Sequence, residues 1–233
     1  MRRIFAVAML IAGLLLPALA DSDRDDDISR VRHSAQVFSE IMNTPDKAVP
    51  QELLESAKCI AIIPGEKKIA FIFGGRYGKG LATCRTSHGW SAPLFLAAGG
   101  GSFGFQIGGS ETDIVMLFMN DRALQSLLSD KFKIGADATA AAGPVGRHVA
   151  AGTDVKLNAE ILTYARSKGA FAGVSLDGAV VQADHTGDQA MYGANVQRKQ
   201  ILSGDIPVPK VARPLLEEIA HYAKGEAGST TMH

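Results

Sequence analysis

The 233-residue chain has little cysteine, few aromatic side chains and no excess of either charge. Its two cysteines, Cys59 and Cys84, are too few for a disulfide-rich scaffold, and neither has a metal-site spacing to a histidine pair. Both lie in predicted strands, where they form either one disulfide or two buried free thiols, and we favour the free thiols. None of the six histidines belongs to an HExxH motif, so we expect no metal and no other cofactor.

Basic and acidic residues are equally numerous, 24 of each, which argues against a nucleic-acid partner. A nucleic-acid-binding domain usually has a clear basic excess. Glycine, in contrast, is abundant, with 25 residues, whereas aromatic residues make up only 6% of the chain. This composition favours closely packed strands over a helical bundle.

An apolar run lies at the N-terminus, where Arg2 and Arg3 precede about fourteen mostly apolar residues. This run is shorter than the ~20 residues of a membrane-spanning helix. No later apolar stretch reaches membrane-spanning length without being broken by glycine or charge. Ala18 and Ala20 are small residues at positions −3 and −1 of a cleavage point before Asp21. We therefore predict that residues 1–20 are a signal peptide and that the mature chain is exported. Its expected location is periplasmic or secreted, or peripheral on an envelope membrane.

The richest glycine segment contains the spacings of two catalytic or nucleotide-binding motifs. Residues 99–104 fit GxGxxG, and around Ser102 they also fit the GxSxG of a serine nucleophile. Both motifs require a helix directly after the glycines. Phe103, Phe105 and Ile107 instead alternate with small or polar residues, and this period of two predicts a strand. We interpret the glycines as places where another backbone or a packed ring comes close.

An acidic segment and an amphipathic helix follow the predicted signal peptide. Residues 21–27 contain five aspartates, and we predict a disordered tail that ends in Asp27 as the helix N-cap. Residues 28–42 have apolar side chains at helical spacing, with arginines on the opposite side. Such a helix either covers a sheet of its own domain, the commoner arrangement, or lies on a membrane interface.

A second glycine-rich segment, GGRYGKG at 74–80, resembles a phosphate-binding loop but does not match its pattern. Only three residues separate Gly74 from Gly78, and a glycine follows Lys79 where serine or threonine is required. We predict a solvated hairpin tip between two strands. Arg76 and Lys79 could attract phosphate groups from this tip as point charges.

No repeat, linker or composition break divides residues 28–224, and residues 225–233 form a polar tail that we predict to be disordered. We predict one α+β domain with a largely antiparallel, glycine-rich curved sheet or partly closed barrel, covered by N- and C-terminal helices. The predicted helices are 28–42, 50–58, 122–128 and 207–224. The predicted strands are 59–63, 69–73, 81–85, 94–109, 112–119, 132–146, 161–167, 170–176 and 179–183.

Four segments, in this order, resemble the SYLF domain, also described as the yeast-type actin-binding endocytic module. They are GGRYGKG (74–80), GGGSFGFQIGG (99–109), FKIGADATAAAGPVGR (132–147) and RSKGAFAGVSLDGAVV (166–181). The similarity extends over residues 28–206 and implies a lipid-binding domain, with phosphoinositides preferred in eukaryotic members. It also implies actin binding in some fungal members and no catalytic residues.

The resemblance implies that the N-terminal helix and nearby basic residues contact lipid. The candidate lipid-binding residues are Arg30, Val31, Arg32, Phe38, Lys67, Lys68, Arg76 and Lys79. The acidic segment opposes an attraction of roughly 1 kcal/mol per basic residue near an anionic surface. Export separates the chain from cytosolic actin, and bacterial envelopes generally lack phosphoinositides. Phosphatidylglycerol, cardiolipin or lipid A are therefore the expected lipids.

The leading hypothesis is a non-enzymatic envelope protein that binds an anionic phospholipid or a phosphoinositide-like headgroup through the helix at 28–42. One alternative is a serine hydrolase that uses Ser102. Its acid would be Asp137, Asp154 or Asp177, and its base would be His148, His185 or His221. The other alternative is a structural or adaptor protein that binds an envelope protein through the glycine-rich strands or the C-terminal helix.

Overall fold

The computed structural model describes residues 23–44, 49–144, 159–167, 170–174 and 176–223. Side chains are described for all of these residues except 69–74, 102–109 and 170–171. The predicted signal peptide, the C-terminal tail, His148 and Asp154 lie outside the described residues. Within them, no helix is both long enough and apolar enough to cross a membrane.

Helices at both ends of the chain surround one eight-stranded sheet, which confirms the predicted fold class. The sheet is curled into a half-barrel and is mainly antiparallel. The helices are α1 (23–42), α2 (Gln51–Ser56), α3 (Asp121–Leu128), α4 (His185–Tyr192), α5 (Arg198–Ser203) and α6 (Arg213–Tyr222). The strands are β1 (Cys59–Thr86), β2 (Gly89–Trp90), β3 (Leu94–Phe118), β4 (Lys131–Lys133), β5 (Ala140–Ala142), β6 (Ile161–Ser167), β7 (Ala170–Gly173) and β8 (Val180–Ala183).

The centre of the fold is a long ribbon formed by β1 and β3, which pair antiparallel from Cys59–Phe118 to Ala82–Leu94. The ribbon folds back on itself, since the Arg85 N–H donates a hydrogen bond of 2.7 Å to the Lys58 carbonyl. The two ends of β1 therefore meet. The C-terminal part of β3, from Asp113 to Phe118, pairs with β6, and its N-terminal part, from Leu96 to Gly99, pairs with β8.

The sequence predicted three separate strands where β1 is continuous, and this prediction was wrong. Pro64 and Gly65 form a bulge rather than a turn, because the pairing with β3 shifts register there and then resumes at Glu66. Residues 74–80 likewise remain paired with β3 and do not form a hairpin tip. The hydrogen bonds to a full-length partner strand override the local turn signals of glycine and proline.

The predicted strand at 132–146 was also only partly correct. Within residues 132–144 the structure has the short strands β4 and β5, separated by a turn. Gly135 has a φ of 84°, and the Asp137 carboxylate accepts a hydrogen bond from the Lys133 N–H. The alternating alanines could not indicate this turn, because they fit the strand pattern on both sides of it.

At the three glycines 99–101, the structure does not show the close approach of another backbone that we predicted. A Cβ at Gly99, Gly100 or Gly101 would meet no atom closer than 3.4 Å. At Gly80, in contrast, a Cβ would lie 2.2 Å from the Ile62 carbonyl oxygen. A close contact therefore lies where β1 crosses itself, and none lies at Gly99, Gly100 or Gly101. Gly104, Gly108 and Gly109 lie outside the residues whose side chains are described, so the prediction is not tested there.

Cys59 and Cys84 form a disulfide, so our preference for free thiols was wrong. The bond joins the two ends of β1, which are 25 residues apart in sequence, and both residues are buried. Pairing patterns in the sequence did not indicate this proximity, because it arises from the fold-back of a single strand.

Replacing both cysteines by alanine is expected to lower the free energy of unfolding by about 3 kcal/mol, because the crosslink closes a loop of intermediate length. Urea unfolding of the wild type and the double variant measures the difference. Reductant should lower the stability of the wild type and leave that of the variant unchanged. Equal stabilities without reductant would show that the disulfide does not stabilise the fold.

The N-terminal helix packs on its own domain, which decides between the two arrangements left open by its sequence. Val31, Phe38 and Ile41 are at most 1% exposed and belong to the core. The Phe38 ring also contacts the Tyr222 ring of α6 edge to face. The helix includes residues 23–27, so these residues are not a disordered tail, and Asp27 is not the N-cap.

Candidate functional site

A cavity of about 790 Å³ lies between the first half of α1 and the folded ribbon. Its walls come from α1, the bulge of β1, and parts of β3, β6 and α4. Five acidic and four basic side chains line it. The acidic residues are Asp23, Asp26, Asp27, Glu111 and Asp113, and the basic residues are Arg30, Lys67, Lys79 and Arg166.

The bulge in β1 shapes one wall of this cavity. Gly65 has a φ of 59°, a left-handed conformation that favours glycine. Its N–H donates a hydrogen bond of 2.9 Å to the Asp113 carboxylate. A Cβ at Gly65 would lie 2.6 Å from the Glu111 carboxylate. The bulge therefore places its backbone against two carboxylates of β3, with Lys67 two residues further on.

Arg30 and Lys79 are both neutralised by carboxylates. The Arg30 guanidinium lies 2.8 Å from the Asp27 carboxylate and 2.9 Å from that of Asp184. Lys79 Nζ lies 3.0 Å from the same Asp184 carboxylate. The Arg30 guanidinium also lies over the Phe95 ring, 5.2 Å from its centroid. This cluster connects α1 to the ribbon and to the start of α4.

Arg166 is the third neutralised basic residue of the cavity. It donates hydrogen bonds of 3.0 and 2.7 Å to Asp113, and it also pairs with Glu40 of α1. Partial burial lowers the pKa of Arg166, but these contacts outweigh it and raise that pKa above its ordinary value. The pKa of Glu40 is lowered, mainly by a hydrogen bond from Gln36 and then by the hydrogen bond from Arg166. The guanidinium thus holds β3, β6 and α1 together.

The two aspartates that bind Arg30 differ in pKa. Burial raises the pKa of Asp27, although the charge of Arg30 opposes this effect. Burial alone would raise the pKa of Asp184 as well, but hydrogen bonds from Lys79 and the Gly187 N–H outweigh it and lower that pKa below its ordinary value. Asp184 therefore keeps its negative charge to a lower pH than Asp27 does.

A neighbouring carboxylate, Asp188, accepts a hydrogen bond of 2.8 Å from the Phe95 N–H and one of 3.2 Å from Arg198. Burial raises its pKa from 3.8 to about 6 in spite of both contacts. Asp188 thus has to give up its proton at a higher pH in the folded chain than in the unfolded chain.

This shift predicts a pH-dependent difference between the wild type and Asp188→Asn. Below about pH 4 the carboxyl is protonated in both states, and its stabilising contribution is complete. As the pH rises through about 6, the wild type should lose on the order of 2–3 kcal/mol relative to the variant, which cannot titrate. Urea unfolding at several pH values measures this difference. A pH-independent difference would contradict the prediction.

The remaining charged groups of the cavity lack partners among the described residues. Asp23, Asp26 and Glu111 are acidic, and Lys67 is basic. None of the four forms an ion pair within the described chain, unlike Arg30, Lys79 and Arg166. The uncompensated charge of the cavity is therefore predominantly negative.

Three of the eight predicted lipid-binding residues, Arg30, Lys67 and Lys79, line this cavity. They come from separate parts of the chain and had been selected only by charge and resemblance. Arg166 is a fourth basic residue, which the sequence analysis missed. Its position in the segment RSKGAFAGVSLDGAVV was the available signal.

The other predicted residues lie elsewhere. Val31 and Phe38 are buried in the core and do not face solvent. Arg76 donates two hydrogen bonds, of 2.8 and 2.7 Å, to the buried Glu66 carboxylate. Arg32 is exposed and Lys68 is half-buried, and neither lines the cavity. The predicted residues therefore do not form one continuous basic surface.

The backbone around Ser102 does not have the geometry of a serine nucleophile. Ser102 lies within β3 and pairs with Gly74 of β1, and β3 continues to Phe118. A nucleophile elbow instead turns from a strand directly into a helix. Among the described residues there is also no group of histidine, cysteine, aspartate and glutamate side chains that could hold a metal ion.

Residues 99–222 match the Ysc84 family, described as "Las17-binding protein actin regulator". The chain is 33% identical over 191 residues to SH3 domain-containing YSC84-like protein 1 of Rattus norvegicus. The matched region covers 80% of this chain and 56% of that relative. It is 35% identical over 175 residues to Protein YSC84 of Saccharomyces cerevisiae, covering 73% of this chain and 37% of the relative.

A further relative, LAS seventeen-binding protein 3 of Saccharomyces cerevisiae, is 34% identical over 182 residues. The match covers 76% of this chain and 39% of that protein. The chain thus spans about half the length of the curated relatives it matches, or less. The name of the rat relative refers to an SH3 domain and that of the last relative to binding LAS seventeen, and none of the three names describes an enzyme.

Proposed function

This chain belongs to the Ysc84 family, whose domain is the SYLF domain, and we propose that it is a non-enzymatic, exported protein that binds phospholipid headgroups at an envelope membrane. The observation that supports this proposal most is the convergence of three predicted lipid-binding residues, Arg30, Lys67 and Lys79, on one cavity. Lys67 is exposed and unpaired within the described chain. It is therefore the available cation for a headgroup phosphate.

The packing of α1 changes the expected mode of contact. Insertion of this helix into a membrane would require Val31, Phe38 and Ile41 to leave the core. Lipid would bury these side chains as well, but departure of the helix would expose the core surface that it covers, at a cost of roughly 1.5–3 kcal/mol for each large apolar side chain exposed there. The docked helix is therefore the stable arrangement. We propose that the domain binds as a folded unit and that a headgroup enters the cavity from the rim.

Vesicle flotation tests the proposed function with the purified chain and vesicles of phosphatidylethanolamine and phosphatidylglycerol. The wild type should float with these vesicles, and Lys67→Gln should bind several-fold more weakly, because one phosphate contact is removed. Lys199→Gln, at an exposed lysine of α5 outside the cavity, is the matched control. No flotation of the wild type on any phospholipid would refute the proposal.

The non-enzymatic part of the proposal is supported by the strand geometry at Ser102 and by the names of the relatives. A fluorophosphonate reagent reacts with activated serine nucleophiles, and we expect no labelling of the folded chain. Stoichiometric labelling at Ser102, lost in Ser102→Ala, would instead establish the serine hydrolase alternative.

A second candidate function is the binding of another protein, which is favoured by the relatives named for binding Las17. Tyr77 is 53% exposed and is the exposed large hydrophobic side chain among the described residues. It lies at a hollow of about 200 Å³ together with Gly99, Gly100 and Lys131. A photo-crosslinker at Tyr77 should capture one protein partner in intact cells, whereas a crosslinker at the exposed Glu52 should not. Equal capture at both positions would argue against this function.

A further inference from the structure

The charge pairing in the cavity restricts the ligands that it can accept. Arg30, Lys79 and Arg166 already bind carboxylates of the protein at 2.7–3.0 Å. A purely anionic headgroup would have to compete with those carboxylates. It would also lie near Asp23, Asp26 and Glu111, whose charges have no partner in the described chain. Like charges repel, so these carboxylates disfavour a purely anionic headgroup, although solvent weakens the repulsion because all three residues are exposed.

A ligand with a positive group of its own fits this arrangement better. A primary ammonium donates three hydrogen bonds, and carboxylates are its strongest acceptors. Glu111 lies on the wall formed by the Gly65 bulge, and Asp26 lies on α1. The cavity thus offers carboxylate acceptors on two elements for a cation and, directly opposite Glu111 in the pairing of β1 with β3, the ammonium of Lys67 for an anion.

We infer that the cavity recognises an aminoalkyl phosphate, a group with both a primary ammonium and a phosphate, such as the headgroup of phosphatidylethanolamine. This inference depends on the proposed lipid-binding function and makes its ligand zwitterionic rather than anionic. Lys67 binds the phosphate, and the Glu111 and Asp26 carboxylates accept hydrogen bonds from the ammonium. Arg30, Lys79 and Arg166 keep their carboxylate partners and hold the walls in place.

Flotation at constant ionic strength tests this inference with three vesicle compositions. Phosphatidylcholine alone is the reference, since its quaternary ammonium has no N–H donors. Phosphatidylethanolamine or phosphatidylglycerol is then added to it in equal amounts. We expect phosphatidylethanolamine to increase binding on the order of tenfold, the effect of one charge-assisted hydrogen bond. Phosphatidylglycerol should increase it less.

Two cavity variants and one control locate the site. Glu111→Gln and Asp26→Asn should each reduce the preference for phosphatidylethanolamine over phosphatidylcholine several-fold, and neither should weaken binding to phosphatidylglycerol. Glu52→Gln, at an exposed acidic residue of α2, should leave the preference unchanged. Unchanged urea unfolding of each variant shows that the fold is retained.

The outcomes separate this inference from the proposed function. Binding to phosphatidylglycerol that equals or exceeds binding to phosphatidylethanolamine would refute the zwitterionic ligand and leave lipid binding intact. A preference for phosphatidylethanolamine that persists in both cavity variants would refute the cavity as its site. Absence of binding to all three compositions would refute the proposed function itself.

Soluble glycerophosphoethanolamine distinguishes a lipid from a free aminoalkyl phosphate. In titration calorimetry it should bind the wild type and not Glu111→Gln, and an excess of it should displace the chain from vesicles. Binding of the soluble compound without any vesicle binding would assign the cavity to a free ligand instead of a membrane lipid. Failure to displace the chain would show that the headgroup is not the recognised part.

Discussion

Replacing Phe38 by alanine is expected to lower the free energy of unfolding by about 3–5 kcal/mol, the usual effect of removing a fully buried phenylalanine ring. Phe38 is 0% exposed and lies against the Tyr222 ring, 6.2 Å between centroids. Its loss leaves a cavity between α1, α6 and the sheet, which backbone elements on three sides cannot close. Urea unfolding measures the change.

The same variant separates a packing role from a membrane role for α1. If the helix stays docked, folded Phe38→Ala should float with vesicles as the wild type does, once its lower stability is taken into account. Arg32→Ala, at an exposed position of the same helix, is the control and should leave stability nearly unchanged. Wild-type stability of Phe38→Ala together with lost flotation would instead show that the ring inserts into lipid.

The amphipathic pattern of α1 was sufficient to predict a helix but not what covers its apolar face. A stripe of apolar residues has the same spacing whether it meets a sheet or a lipid surface. The start of the helix was misplaced because the acidic residues before Asp27 suggested a solvated tail. Asp27 is instead held within the helix by the Arg30 guanidinium, a contact between residues three apart.

The course of β1 could not be predicted from local sequence. Pro64-Gly65 and the glycines at 74–80 are strong turn signals, yet the strand continues through both segments. Pro64-Gly65 forms a bulge, and the glycines at 74–80 lead to the point where the strand crosses over its own beginning. Only the pairing with β3, between residues far apart in sequence, distinguishes these outcomes from turns. The disulfide was missed for the same reason.

The candidate site was predicted in part, through its basic residues. Lys67, Lys79 and Arg30 were selected from charge and resemblance, and they do line one cavity. The carboxylates that neutralise two of them were not predicted. Asp184 lies 154 residues after Arg30 in the chain, and no sequence pattern relates the two. The sign of the uncompensated charge therefore depends on contacts that only the folded chain shows.

Replacing Gly80 by alanine is expected to destabilise the chain by about 3 kcal/mol or more, at the upper end of overpacking effects. The added Cβ would lie 2.2 Å from the Ile62 carbonyl oxygen and 2.9 Å from Ile63 Cα. Both residues are paired with β3, at Val115 and Ile114, so their backbone cannot move away without breaking the ribbon. The clash of the added Cβ with Ile62 and Ile63 can therefore be removed only if the two halves of β1 separate.

Separation of the halves of β1 should also affect the disulfide, because Cys84 follows the crossing by four residues. Gly80→Ala should accordingly show a lower yield of folded protein and a fraction of free thiols in mass spectrometry after alkylation. Gly75→Ala is the matched control, since Gly75 is exposed in the same strand and a Cβ there meets no atom within 4 Å. A Gly80→Ala chain as stable as this control, with its disulfide complete, would show that β1 does not cross itself so closely. The cavity walls depend on this crossing, because Lys67 and Lys79 both lie in the part of β1 between the crossing residues Ile63 and Gly80.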